Sequence, residues 1–100
     1  GNTAVTGTLT VSANVTFSGS NTYLTSNLVA SGVNTLSNTH ISDSKFTIQT
    51  SKTPSTNNAT TELGSPTTDF PHDGTFFWDA NYLYVAVSNT VIKRVPLQVF

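Results

Sequence analysis

The first 42 residues contain no Asp, Glu, Lys or Arg, and most of their apolar side chains occur singly among Thr, Ser, Asn and Gly. Between Val5 and Phe17 most odd positions are apolar and most even positions carry a hydroxyl group. This period of two predicts β structure, in which successive side chains point to opposite faces. The segment has too few apolar side chains to form a core of its own. It therefore needs stacked neighbouring segments or other chains to bury them.

The alternating segment is too long for one straight strand. Residues 3–17 would extend about 50 Å at about 3.3 Å per residue, whereas ordinary strands have about 5–6 residues. We therefore expect turns near Gly7 and near Ala13 and Asn14.

A loose Gly-x-x-Thr repeat begins at Gly7, Gly19 and Gly32. Each unit holds too few apolar residues to bury a face alone. Residues 45–50 predict one more strand, so residues 1–50 are predicted to form a β-rich fibrous shaft. Its strands pair either within one chain or between chains.

Residues 51–71 interrupt the β pattern with three prolines, many Thr and Asn, and few apolar side chains. This composition predicts a linker or a long surface loop. Its length suggests a boundary between modules. No helix is predicted in this segment or elsewhere.

The end of the chain is dense in aromatic and β-branched residues, separated by turn-forming segments. The predicted strands are Thr75–Trp78, Tyr82–Val87 and Val91–Val95. They predict a three-stranded antiparallel meander, which forms a small knob over residues 72–100. Pro96 is expected to end the ladder pairing, and residues 97–100 to form a short terminal strand.

The composition argues against several classes of function. The net charge is −1 with only four Lys and Arg residues, whereas a nucleic-acid surface needs clustered positive charge. No apolar run is long enough to insert into a membrane. We found no cofactor motif and no carboxylate pair placed for hydrolysis, so we expect no enzyme and no cofactor. The start at Gly1 and the lack of Met predict a fragment or a processed product.

The terminal segment resembles part of the fibre and appendage proteins of tailed bacteriophages, particularly marine and cyanobacterial ones. The resemblance is carried by Gly74-Thr75, Trp78-Asp79, Tyr82–Val85, and Lys93–Val95 followed by Leu97. Ile92 stands where the family pattern has a Trp. The resemblance implies a parallel homotrimer located on the surface of the virion.

Together these observations predict an all-β protein, an elongated trimeric β-shaft followed by a small antiparallel β-meander knob. The expected function is that of a virion fibre component that projects from the particle and attaches to a host-surface glycan or protein. The alternative is a purely structural virion protein, such as a capsid decoration, head fibre or connector, that binds only other virion proteins.

Trp78, Tyr82 and Tyr84 are the candidate receptor-contact residues, because aromatic rings stack on sugars and are enriched at interface hot spots. The competing interpretation is that strand alternation places part of the aromatic set in the core. We interpret Asp69, His72, Asp73 and Asp79 as solvated turn residues rather than Ca²⁺ ligands, because no known ligand spacing is present. No metal site is therefore predicted.

Overall fold

The computed structural model describes residues 1–66 and 71–100. The chain divides into an N-terminal unit, residues 1–39, and a C-terminal unit, residues 40–100. Within the described residues, no helix has the length and apolar character needed to span a membrane.

The N-terminal unit, all of whose residues are described, contains neither helix nor strand, and none of its side chains is buried. The predicted strand over residues 3–17 therefore does not form within one chain. Bends do occur at Gly7 and at residues 12–13, as predicted. Apolar side chains are open to solvent throughout the unit; the exposed fraction is 82% for Tyr23 and 92% for Val29.

The three glycines of the Gly-x-x-Thr repeat all have positive φ angles. Gly7, Gly19 and Gly32 have φ angles of 98°, 120° and 81°, in the region that side chains with a Cβ rarely adopt. The repeat therefore corresponds to a recurrent bend of the backbone, and glycine is the residue best suited to each bend.

The C-terminal unit contains the predicted antiparallel meander. Its strands, in the order β1-β2-β3, are β1 (Thr75–Trp78), β2 (Tyr82–Ala86) and β3 (Ile92–Pro96). Pro96 lies within β3 opposite Tyr82. The prediction that it interrupts pairing is wrong by one residue, because an edge strand tolerates a residue that has no N–H. Residues 45–50 and 97–100, all described, form no strand.

The register assigns the strand residues to two faces, because directly opposite residues point the same way. Phe77, Tyr84 and Arg94 face one another on what we call the inner face. The core on this face consists of Ala59, Phe77, Tyr84, Ala86 and Ile92, with Leu63 and Tyr82 packed against it. The rings of Phe77 and Tyr84 stack with centroids 5.1 Å apart.

A short helix, α1 (Ala59–Leu63), covers part of the inner face. The side chain of Asn58 caps it by accepting hydrogen bonds from the N–H groups of Thr60 and Thr61. The prediction that the chain has no helix is therefore wrong. Five residues are too few to show helical periodicity, and burial of Ala59 in the core stabilises the helix instead.

Residues 52–63 belong to the C-terminal unit, although the sequence places a linker or long loop there. Lys52 N–H donates to the Trp78 carbonyl at 2.8 Å, Ala59 N–H donates to Thr90 at 3.2 Å, and the Asn57 carbonyl accepts from Ile92 N–H at 2.8 Å. These backbone bonds dock the segment on the meander. Residues 67–70, also part of the predicted linker, lie outside the described residues.

Glu62 fixes the loop that precedes α1. Its Oε1 accepts from the N–H and hydroxyl of Ser55 at 2.9 and 2.8 Å and from the N–H of Thr56 at 3.0 Å. Its Oε2 lies 3.7 Å from Lys52 Nζ. The hydrogen bond from the Ser55 hydroxyl, those from the two N–H groups and the charge of Lys52 together lower the pKa of Glu62.

We predict that Glu62→Gln lowers the melting temperature at neutral pH, because the amide accepts these hydrogen bonds less strongly and loses the ion pair. Thermal unfolding followed by circular dichroism would measure the effect. Asp43→Asn is the matched control, since the Asp43 side chain accepts only from its neighbour Ser44 among the described residues. Equal melting temperatures for the two variants would contradict the role assigned to Glu62.

Candidate functional site

Tyr84 lies in the core of the C-terminal unit and is only 3% exposed. Its ring packs on Phe77, and its hydroxyl donates to Asp79 Oδ2 at 2.6 Å. Burial, and secondarily the charge and hydrogen bond of Asp79, raises the pKa of this hydroxyl. In the single chain this predicted contact residue therefore serves the interior, and its ring offers little surface to a receptor.

Asp79 is the hub of a buried polar cluster. Its Oδ1 accepts from the N–H groups of Asn81 and Tyr82, each at 2.8 Å. Its Oδ2 accepts from the hydroxyls of Tyr84 at 2.6 Å and Thr53 at 2.9 Å. The Tyr84 hydrogen bond, followed by those from Asn81, Thr53 and Tyr82, outweighs desolvation and lowers the pKa of Asp79 from 3.8 to about 2.

Tyr82 lies half-buried beside Tyr84 on the inner face, with ring centroids 5.8 Å apart. The guanidinium carbon of Arg94 lies 4.1 Å from the centre of the Tyr82 ring. This cation–π contact holds an exposed positive charge in a defined position. On the inner face, the contact between Tyr82 and Arg94 thus combines a fixed geometry with access to solvent.

Trp78 occupies the end of β1 and points to the opposite, outer face, as its pairing with Leu83 requires. Its indole N–H donates to the Ile48 carbonyl at 2.6 Å. The structure therefore brings Tyr82 and Tyr84 together but places Trp78 apart from them. The role of these residues in receptor contact stays a prediction. Within the chain, the Trp78 indole forms a hydrogen bond to the backbone at Ile48.

A groove opens between β3 and the loop that Glu62 fixes. It is lined by Pro54, Ser55, Thr56, Asn57, Tyr84, Ile92 and Arg94, and its volume is about 350 Å³. This volume falls at the lower end of the roughly 300–1,000 Å³ typical of ligand pockets. Its base includes apolar groups of Tyr84 and Ile92, its wall carries hydroxyl and amide groups, and Arg94 supplies a positive charge.

His72 and Asp79 are buried, 2% and 7% exposed respectively, so interpreting them as solvated turn residues is wrong. His72 Nε2 lies 2.6 Å from the Gly64 carbonyl oxygen, and the backbone N–H of His72 donates to Asn89 Oδ1 at 2.8 Å. Both residues connect loops to the meander. Asp69 lies outside the described residues, and residues 1–66 with 71–100 contain no group of three or more potential metal-binding side chains.

Sequence reasoning missed Arg94 and the loop at residues 54–57 as parts of one surface. The alternation of β3 does indicate that Lys93 and Arg94 face opposite ways. No local signal connects the loop to β3, because the two are about 35 residues apart. In the folded chain the hydrogen bond from Ile92 N–H to the Asn57 carbonyl makes that connection.

Comparison of this chain with models of protein families, with curated proteins and with solved structures found no match.

We predict that Tyr84→Phe reduces the loss of stability on acidification between pH 3.8 and about 2. A lowered pKa in the folded state contributes stability above pH 3.8 that is lost as pH falls toward about 2. Removing the hydroxyl that contributes most raises the pKa of Asp79 in the folded state toward its unfolded value. Urea unfolding measured at several pH values would give the slope.

Tyr82→Phe is the control for this prediction, because Tyr82 makes no side-chain hydroxyl bond to the described residues and its N–H contact with Asp79 is retained. An equal pH slope in wild-type protein and Tyr84→Phe would show that the Tyr84 hydroxyl does not stabilise the ionised carboxylate.

Proposed function

We propose that this chain is a subunit of a homotrimeric bacteriophage fibre that projects from the virion and attaches to the host surface. The main support is that residues 1–39 bury none of their apolar side chains within one chain. Exposed apolar surface on this scale usually marks an interaction site. Intertwining identical chains pools these residues in a common core and leaves Thr, Ser and Asn in contact with water.

The outer face of the meander supports the same assembly. Phe76 and Val95 are 57% and 52% exposed. An apolar groove of about 200 Å³ is lined by these two residues together with Leu83, Tyr84, Val85, Lys93 and Arg94. Each unit thus leaves apolar surface uncovered, and association with further copies of this chain would cover such surface in a closed assembly. We therefore place the trimer contact on the outer face.

The resemblance to phage fibre proteins supports the assignment to a virion. Its motif residues lie largely on β1 to β3 and the turn between β1 and β2. Among them, Asp79, Tyr84 and Trp78 are engaged in hydrogen bonds inside the C-terminal unit. This internal engagement favours a second candidate function, a purely structural virion protein in which the motif specifies only the meander and its assembly.

We predict a mass near three times 10.6 kDa for the isolated protein by multi-angle light scattering. Phe76→Ser with Val95→Ser should shift the mass toward 10.6 kDa, because polar groups on the outer face weaken apolar association. Asn57→Ser, an exposed change in the groove between β3 and residues 54–57, should leave the mass of the trimer unchanged. A measured mass near 10.6 kDa for the wild-type protein would overturn the proposal that it is a trimer.

We predict that the labelled trimer binds whole cells of susceptible strains in a panel of marine cyanobacteria. Tyr82→Ala should reduce the bound fraction while leaving the mass unchanged, because it removes the ring that positions Arg94. Flow cytometry would measure binding, with an unrelated trimer as the negative control. Binding by Tyr82→Ala equal to that of wild type would remove Tyr82 from the contact surface. Binding to virion proteins without binding to any cell would favour the purely structural function.

A further inference from the structure

We propose that the groove between β3 and residues 54–57 binds an acidic sugar, with Arg94 receiving its carboxylate. The inference rests on the proposed attachment function and specifies its ligand class as a host glycan that contains uronic or other carboxylated sugars. In this proposal the main ligand contact is made by Arg94, whose guanidinium rests on the Tyr82 ring, and not by the aromatic rings themselves.

Arg94 has the geometry of an anion receptor. The face of Tyr82 supports its guanidinium at 4.1 Å, and the side chain is exposed. Among the described residues, no carboxylate oxygen lies within 4.0 Å of the Arg94 guanidinium. Glu62, which borders the loop of the groove, forms its ion pair with Lys52 instead. A guanidinium held in this way presents N–H groups that match the two oxygens of a carboxylate.

The opposite wall of the groove is held in place before any ligand arrives. Glu62 receives the hydrogen bonds of Ser55 and Thr56, and the Asn57 carbonyl is tied to Ile92 N–H at 2.8 Å. A wall fixed in this way loses little conformational entropy on binding. The negative charge of Glu62 is offset by Lys52 at 3.7 Å, which reduces its repulsion of an anion.

The groove also suits the rest of a sugar ring. The amide of Asn57 offers hydrogen bonds to sugar hydroxyls, whereas the hydroxyls of Ser55 and Thr56 donate to Glu62 and retain only acceptor capacity. Half-buried Pro54 offers apolar surface to the C–H groups of the sugar, while Tyr84 and Ile92 lie beneath the groove as part of the core. The hydroxyl of Tyr84 is already committed to Asp79. A single cation and neutral polar groups predict weak binding per site, and three sites in a trimer would add avidity.

Titration with methyl glucuronide, followed by amide chemical shifts in ¹⁵N-labelled protein, tests the proposal. We expect saturable shifts at Thr56, Asn57 and Arg94, and much weaker effects from methyl glucoside, which lacks the carboxylate. Equal shifts from both glycosides would overturn the proposal. Shifts with glucose 6-phosphate but not with methyl glucuronide would overturn the commitment to a carboxylate.

Arg94→Gln should weaken binding of methyl glucuronide by about tenfold or more, the scale of a lost charge-assisted hydrogen bond. Lys93→Gln is the matched control, because it makes the same charge change one residue away on the outer face. Arg94→Lys retains the charge but loses the planar fork, so its affinity should fall between wild type and Arg94→Gln. An equal loss in Arg94→Gln and Lys93→Gln would overturn the proposed site.

The outcome is separable from that of the proposed function. The acidic-sugar site would be overturned if the trimer binds cells but does not bind methyl glucuronide, or if Arg94→Gln binds cells as well as wild type does. Either result would still be consistent with the fibre function. Binding of methyl glucuronide at Arg94 by a protein that attaches to no cell would support the site and contradict the attachment function.

Discussion

The packing of the C-terminal unit depends on the hydrogen bonds that the buried carboxylate of Asp79 accepts. Through four hydrogen bonds this carboxylate joins the turn between β1 and β2, the ring of Tyr84 and the segment at Thr53. Two of these partners are backbone N–H groups that the turn would otherwise leave without an acceptor. Because one ionised group bonds to three segments, the orientation of the Tyr84 ring and the docking of the segment at Thr53 depend on the same oxygen, Asp79 Oδ2.

The meander has two faces with different requirements. The inner face is covered in part by α1 and by the loop at residues 52–57, which leave the groove at Arg94 open. The outer face keeps Phe76 and Val95 in water, which costs free energy that a partner surface would recover. One side of the sheet therefore stabilises its own chain, while the other leaves apolar side chains exposed.

The meander was predictable because aromatic and β-branched runs bounded by turn residues carry a strong local signal. The strand limits differed from prediction by about one residue, at Val87 and Val91 and at Pro96. The helix at residues 59–63 and the burial of His72 and Asp79 were not predictable, because both depend on contacts with distant segments. For the same reason the sequence identified aromatic candidates but not the groove, whose two walls are joined only in the folded chain.

The recurrent bends at Gly7, Gly19 and Gly32 have a consequence for how such a chain varies in length. Their spacing of 12 and then 13 residues defines a unit with its own backbone turn and its own few apolar groups. Adding or deleting one whole unit preserves the order of bends and leaves the C-terminal unit untouched, whereas a change of a few residues displaces every later bend. Variation in the length of this segment is therefore expected in steps of about a dozen residues.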